Sequence, residues 1–460
     1  MSDAAPQPAP APEPFRARLI EGRVDRALIR LTWPMLGGLT ALITQPLIDS
    51  YFLGQLGLRE LAAIQLVLPV TLLGLSIIFG LGVGTTAILA QHIGAGQWTK
   101  VRSIVSQAHL LTMLVMLGFS ALGLVFLEEI FTAFGAGPDL MGLIKAYMTV
   151  WLGGTILLAL PMTGNACMRA NGEVKMSSLV LVVIAIGKLV LTPWLVFGGL
   201  GVPGLGMAGA AWASLGAHLL ASLLALYLLG PVNRMFDLSR PRWALVRPIW
   251  ARLLKVGAPT ALTNTITPLS MLIVNTILLR HGPATLAGFG VGNRLEALAM
   301  MMAFALASSV VPFLGQNYAA GRTDRMAQAM RLALGFTLVY GLVLALVLGL
   351  AAAHIGGAFS DDPAAIAAAR AYLLAIPFSY GVYGAMIIIG MAFISLGNAA
   401  PNLIFVSVRL FLIYVPGALL GNALYGYYGI LAAVAASNVI AGVLSLHWYR
   451  RYFPKPSSQA

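Results

Sequence analysis

The sequence predicts an all-α polytopic membrane protein of twelve transmembrane helices, arranged as two pseudo-symmetric six-helix lobes. Three observations predict it. The first is composition: of 460 residues, 59% are hydrophobic and 9% charged, with mean hydropathy +0.88. A soluble chain of this length could not hide so much apolar surface. The second is that apolar runs long enough to cross a bilayer recur twelve times along the chain. The third is an internal repeat that relates the two halves.

The expected spans are 31–54, 61–90, 104–127, 142–168, 177–200, 204–230, 256–279, 285–315, 332–355, 371–396, 401–420 and 425–449. In lipid every backbone polar group needs an internal partner, so each span is read as a helix. Sorting Lys and Arg by loop sets the orientation. The terminal tails and the loops on their side hold 21 of the 28; the opposite side holds four, Arg59, Lys145, Arg280 and Arg370. The remaining three, Lys188, Arg294 and Arg409, lie inside spans. Under the positive-inside rule this bias places both termini in the cytoplasm. The expected organisation is a cytoplasmic amino-terminal tail (1–30), an amino lobe (31–230), a cytoplasmic inter-lobe linker (231–255), a carboxyl lobe (256–449) and a cytoplasmic carboxyl-terminal tail (450–460). The Ala/Pro-rich start, Met1 to Pro14, reads as disordered rather than as a cleavable signal peptide. The net charge of +13 is thereby topological, and no nucleic-acid partner is expected. A single cysteine, Cys167, excludes an internal disulfide or a cysteine metal cluster, and the six histidines show no HExxH spacing, so no metal site is expected.

Sliding the chain on itself by 225 residues aligns Pro34 with Pro259, Gln91 with Gln316, Ala95-Gly96 with Ala320-Gly321, Ala146-Tyr147 with Ala371-Tyr372 and Gly172 with Gly397. With a two-residue shift Pro193 meets Pro416, Gly206 meets Gly429 and Ser214 meets Ser437. Six spans per half means that both halves enter from the same side. Such parallel repeats around a central cleft suit alternating access.

The candidate site begins in the first span, Leu31–Gly54. A carboxylate at membrane depth is costly, and Asp49 is the one in this span. Pro46, three residues earlier, cannot donate to the Leu42 carbonyl, which marks a helix hinge. Lys188 in the fifth span is an unusual intramembrane cation. Counted from the same side it lies about 16 Å deep and Asp49 about 27 Å, so an Asp49–Lys188 pair would draw on the length of the lysine stem. Glu296 is the only acid within a carboxyl-lobe span. Arg294, two residues away on the helix, cannot face it, and a packing pair with Arg409 or Arg294 stands beside the reading of Glu296 as a second proton site. Thr44 and Gln45, with Asn264 and Thr267 at matching places in the second half, are candidate cleft-lining residues, or equally interhelical glue. Tyr51, Met301 and Tyr383 are candidates for an adaptable apolar wall, or ordinary packing. Gly204-x-Gly-x-x-Gly209 spells a dinucleotide fingerprint but has no strand before it, and reads as a tight turn between spans.

These residues carry a resemblance. The chain resembles the multidrug and toxic compound extrusion (MATE) transporters, nearer their DinF-like branch, over nearly its whole length. The pattern Pro34…Pro46…Asp49-Ser-Tyr-Phe-Leu-Gly54 is similar to the family's first span. Gln91-His-Ile-Gly-Ala-Gly96 and its second copy Gln316-Asn-Tyr-Ala-Ala-Gly321 resemble its Gln-x-x-Gly-Ala-Gly segment. Met168-Arg-Ala-Asn-Gly172 resembles its turn after span four, and Gly206-Met-Ala-Gly-Ala-Ala-Trp-Ala-Ser214 its start of span six. The resemblance implies a V-shaped two-lobed fold and export of amphipathic, often cationic organic compounds, driven by a proton or sodium gradient. The family's amino-lobe acid corresponds to Asp49. Two departures bear on the coupling ion. Lys188-Leu-Val-Leu-Thr192 stands where the DinF-like branch carries Asn-x-x-x-Asp, and Thr267 stands where the NorM-like branch carries a Glu.

The expected function is a secondary multidrug efflux antiporter in a bacterial inner membrane. It exchanges small, mostly cationic organic substrates for protons through Asp49, Lys188 and Glu296, with no cofactor besides the gradient, and works as a monomer among membrane lipids. Sodium coupling and a lipid-linked precursor flippase of the same superfamily are the alternatives. An intramembrane enzyme would need paired catalytic residues inside spans, and none is present, nor is a Walker A sequence.

Overall fold

The computed structural model of the protein describes residues 19–199, 201–236, 243–359 and 361–455. The tail Met1–Pro14, with Arg16 and Arg18, and the linker residues Arg240 and Arg242 lie outside them. The amino lobe contains α1 (Val24–Leu56), α2 (Leu58–Gly94), α3 (Trp98–Val125), the short α4 (Leu127–Ala133), α5 (Pro138–Gly153), α6 (Thr155–Ala170), α7 (Val174–Phe197) and α8 (Gly206–Tyr227). The carboxyl lobe contains α9 (Trp243–Leu278), α10 (Pro283–Ala299), α11 (Met301–Ala319), α12 (Thr323–Phe359), α13 (Pro363–Ala375), α14 (Tyr380–Ser395), α15 (Ala400–Ser407) and α16 (Val415–Tyr452).

Among the described residues ten helices are individually long and apolar enough to cross a membrane, and the bent pair α5–α6 makes an eleventh. The continuous stretch Ala400–Tyr452 is one of the ten, yet its 53 residues are about twice what a bilayer needs. It turns back at Gly426, whose φ of 58° and ψ of −136° leave the helical region. The stretch is therefore two spans, and the total is twelve. Several spans are broken in ways the apolar pattern does not display. α5 and α6 meet at Gly154 with a 49° bend, and the equivalent place in the second half carries the 3₁₀ turn Pro377–Ser379 between α13 and α14. The apolar run gave 231–255 as linker; in the structure α9 starts at Trp243, and Trp250 donates its indole N–H to the Gln107 amide oxygen of α3 at 3.1 Å. A hairpin of two-residue strands, Gly198–Gly199 with Val202–Pro203, precedes Gly204. It joins two spans and leads into no nucleotide-binding sheet.

The repeat is visible in the backbone. Gly96 and Gly321 (φ 68° and 72°) end the second span of each half, and Gly172 and Gly397 (φ 82° and 81°) end the fourth. Each pair is 225 residues apart, and each glycine occupies the left-handed region that side chains disfavour.

The apolar core shows how the lobes meet. One cluster fills the amino lobe and takes in Leu253, Val256, Val311 and Ile394 from the carboxyl half. A second joins Leu28, Leu31 and Met35 of α1 to α11, α12 and α14. A third, built from the far ends of the carboxyl-lobe helices, contains no amino-lobe residue. The lobes thus share core on the side that carries both chain ends and separate on the other, which gives a V. The seam is tight because side chains are missing from it: a Cβ on Gly80 would lie 2.5 Å from the Ala261 backbone nitrogen, and one on Gly94 would lie 2.1 Å from the Gln316 carbonyl oxygen.

Candidate functional site

Asp49 and Lys188 are brought together by parallel helices. α1 and α7 both start on the side of the chain ends, and they touch closely at Gly38, where a Cβ would meet Leu181 at 3.0 Å. Here the Ser178 hydroxyl donates to the Pro34 carbonyl at 2.6 Å. Ten to eleven residues further on, three turns of either helix, lie Lys188 and Asp49. The Lys188 ammonium donates to Asp49 Oδ2 at 2.6 Å, and both side chains are buried. The difference in depth counted from span starts disappears because α1 begins well before α7 in the direction of the termini. Register rather than lysine reach makes the pair.

The rest of the pair's surroundings is polar but sparsely bonded. Asp49 Oδ1 and the Thr192 hydroxyl, one turn after Lys188, are buried without hydrogen-bond partners. Tyr147 and His218, both buried, lie within electrostatic reach of Asp49 and Lys188 respectively. His218 Nδ1 faces the Ser214 carbonyl at 2.7 Å, and its Nε2 has no partner. Tyr147 and His218 each read in the sequence as a single polar residue in an apolar run, whereas Thr192 stands there at the place of the DinF-like branch's span-five Asp.

The remaining expected site residues divide. The Thr40 hydroxyl, which donates to the Leu36 carbonyl at 2.9 Å, lies 3.5 Å from Met301 Sδ of the other lobe. The exposed positions Thr40, Ile43, Leu47 and Tyr51 share that face of α1, so Tyr51, 64% exposed, and the half-buried Thr44 line the gap between lobes. Gln45 lies instead on Asp49's side of the helix, one turn before it, with its amide nitrogen buried and unpartnered. Asn264 is exposed and Thr267 half-buried on α9. At Pro46, α1 continues as an α-helix from Val24 to Leu56.

Glu296 pairs with neither arginine. The Tyr372 hydroxyl donates to its Oε2 at 2.7 Å, and Tyr380 and Tyr414 lie within electrostatic reach. Arg294 is exposed on the opposite face of α10. Arg409 donates through Nε to Asn438 Oδ1 at 2.7 Å, and its guanidinium lies 4.1 Å from the ring centroid of Tyr383. Of the two readings of Glu296, the packing ion pair with an arginine is therefore replaced by a tyrosine contact, and Tyr383, a candidate for the apolar wall, carries a cation on its ring.

The end of the cleft nearer the chain termini is closed by polar contacts as well as glycines. Gln91 donates to the Ser395 carbonyl and Gln316 to the Ala170 carbonyl, both at 2.7 Å and both across the lobe interface. Residues Leu19 to Gly22 lie over this closure, held by Arg325 through the carbonyls of Leu19, Glu21 and Gly22.

Two helical lobes, a cleft closed at one end and a buried ion pair suit an alternating-access carrier, and the comparisons with known proteins give a transporter family. The MatE family profile matches residues 34–194 and again 259–420; the starts of the two matches are offset by the repeat distance. The chain is 34% identical over 441 residues to a protein of Shewanella oneidensis named "FAD transporter", covering 95% of this chain and 96% of that one. It is 24% identical over 440 residues to the "Multidrug export protein MepA" of Staphylococcus aureus, covering 92% and 93%. Among solved structures it superposes on the Vibrio cholerae MATE transporter VcmN in the bent form with a TM-score of 0.87 at 25% identity, covering 93% of this chain and 96% of that one. The chain belongs to the MatE family: it is a MATE transporter, an integral membrane carrier and not an enzyme.

Proposed function

We propose that this MATE transporter is a proton-driven antiporter that expels organic solutes from a bacterial cytoplasm across the inner membrane, acting as a monomer with both termini inside. The observation that carries the proton coupling is the buried Asp49–Lys188 pair. A sodium ion at Asp49 would need several oxygen ligands around it, as hard cations do; here an ammonium occupies one carboxylate oxygen, and the other has no hydrogen-bond partner among the described residues. A proton needs only the carboxylate. Protonation neutralises Asp49, ends the attraction and leaves Lys188 as a buried cation without a partner, a state that α1 and α7 relieve by moving apart. Pro46, lacking one backbone hydrogen bond, is the hinge about which α1 moves. In the positive-inside orientation the cleft described above faces outward, where a proton arrives. Glu296, bonded to Tyr372, serves as a second proton acceptor in the carboxyl lobe.

The substrate reading follows the relatives. The "FAD transporter" of Shewanella oneidensis is more similar to this chain than the staphylococcal multidrug exporter is, and it supports a flavin dinucleotide as the first solute to try. The cationic amphipathic drugs expected from the family resemblance are the second, favoured by the acids Asp49 and Glu296.

The deciding measurement is uptake into proteoliposomes under an imposed pH gradient or an imposed sodium gradient, with FAD and a fluorescent cation as solutes. Accumulation under the pH gradient alone, abolished by a protonophore and lost in Asp49→Asn, is expected. Accumulation driven by sodium at symmetrical pH, or an Asp49→Asn variant coupled like wild type, overturns the proton reading.

A further inference from the structure

Each lobe carries one buried cation on its fifth span. In the repeat register that aligns Pro193 with Pro416, Lys188 falls two residues from the counterpart of Arg409. The two cations differ in one respect. Lys188 has a carboxylate, whereas Arg409, 6% exposed, has no carboxylate within ion-pair distance among the described residues. A charge held at membrane depth without a counter-charge is costly, and such residues mark substrate paths.

The guanidinium is also held in a fixed pose. Its Nε donates to Asn438 Oδ1. Asn438 in turn donates to Ser379 Oγ at 2.7 Å, and that hydroxyl donates to the Ile376 carbonyl at 2.7 Å. This relay orients the Asn438 oxygen toward Arg409. Tyr383 supports the guanidinium by its ring face at 4.1 Å, a cation–π contact. Arg409 sits on the π-helical turn Val408–Tyr414 between α15 and α16, an irregularity found often at functional sites. Tyr383 packs against both apolar clusters of the carboxyl lobe, so the cation lies at the seam between them. The terminal guanidinium nitrogens donate to no protein acceptor among the described residues. Two parallel N–H groups on such a fork match the paired oxygens of a phosphate. Glu296 is engaged by Tyr372 and makes no ion pair with Arg409.

We propose that Arg409, backed by Tyr383 and Asn438, is the subsite that binds the phosphate of a phosphorylated organic anion during transport. Resting on the flavin reading above, the ligand is the diphosphate of a flavin dinucleotide, whose planar rings suit the neighbouring tyrosines. The carboxyl lobe then carries the substrate charge beside its proton acceptor Glu296, and the amino lobe carries the Asp49–Lys188 pair.

The test uses the full-length chain in proteoliposomes, with FAD uptake and competition by unlabelled ADP, inorganic pyrophosphate, adenosine and riboflavin. ADP and pyrophosphate are expected to compete with FAD in the wild type, and adenosine is not. Arg409→Gln is expected to raise the apparent KM for FAD about 10- to 100-fold, the worth of a lost charge-assisted contact, with Arg409→Lys recovering part of it. Because Arg409→Gln also disturbs the Asn438 relay, the competition series in the unmodified protein is the independent arm. FAD uptake with wild-type KM in Arg409→Gln, or adenosine competing as well as ADP, overturns the phosphate site and leaves the flavin reading standing. Absence of FAD uptake with pyrophosphate binding that Arg409→Gln removes overturns the flavin reading and supports the site. Absence of both overturns the two together.

Discussion

Gln91 and Gln316 make the same hydrogen bond in opposite directions across the lobe interface. The first donates from the amino lobe to the Ser395 carbonyl and the second from the carboxyl lobe to the Ala170 carbonyl, each at 2.7 Å. Donors and acceptors are alike 225 residues apart, so the two bonds are related by the internal repeat. They exist only while the lobes are closed on the side of the termini.

Removing them is therefore expected to favour the state open on that side. A neutral hydrogen bond is worth about 1 kcal/mol, or about fivefold in the equilibrium, and the pair about 30-fold if additive. The reporter is a cysteine at Ala261, which lies in the α2–α9 seam; the native Cys167 is fully buried. Its labelling by a water-soluble maleimide should accelerate in Gln91→Ala and Gln316→Ala, and more in the double variant. Unchanged labelling would show that the bonds do not bias the closure.

The Asp49–Lys188 pair gives a prediction with opposite consequences for stability and function. Losing one partner leaves a buried charge, at a cost of about 3–5 kcal/mol. Lys188→Met alone should therefore lower the thermal unfolding temperature in detergent markedly. Asp49→Leu/Lys188→Met together should restore it and still show no uptake driven by a pH gradient. A double variant that remains proton-coupled would remove Asp49 from the mechanism.

A side chain at Gly80 should act on the seam directly. Its Cβ would lie 2.5 Å from the Ala261 nitrogen and 2.6 Å from the Gly257 carbonyl oxygen, so backbone, not a movable side chain, is in the way. Overpacking of this kind costs about 1–3 kcal/mol. Gly80→Ala is expected to insert normally and lose most transport, and Ala261→Gly should fail to rescue it.

The strap over the closure depends on Arg325, which donates to three carbonyls of residues 19–22 and to Asn317 Oδ1. Arg325→Ala should free it, by about 2 kcal/mol or more. The readout is limited trypsinolysis at Arg23, expected to be about tenfold faster or more than in the wild type.

Much of this architecture was legible beforehand, and for identifiable reasons. The twelve spans follow from the length of apolar chain that a bilayer demands, and the repeat from the recurrence of Pro34, Gln91 and Gly172 at a constant offset. The pairing of Asp49 with Lys188 was foreseeable because each is a costly charge on a helix of the same lobe. Glu296 was visible, but its partner was not: Tyr372 lies 76 positions away and looks like any tyrosine near a membrane interface. The breaks at Gly154, Pro377–Ser379 and Gly426 escaped the apolar pattern because hydropathy continues across them.

By itself the sequence determined that the chain spans a membrane as paired helical halves, since hydrophobicity and repetition are properties of residues taken in order. Only the tertiary structure decided that α1 and α7 stand in a register that joins Asp49 to Lys188, and that Arg409 rests on Tyr383 without a carboxylate among the described residues. Register, helix rotation and the presence or absence of a counter-charge arise from how helices pack in three dimensions. A chain read one residue at a time carries no distance between them.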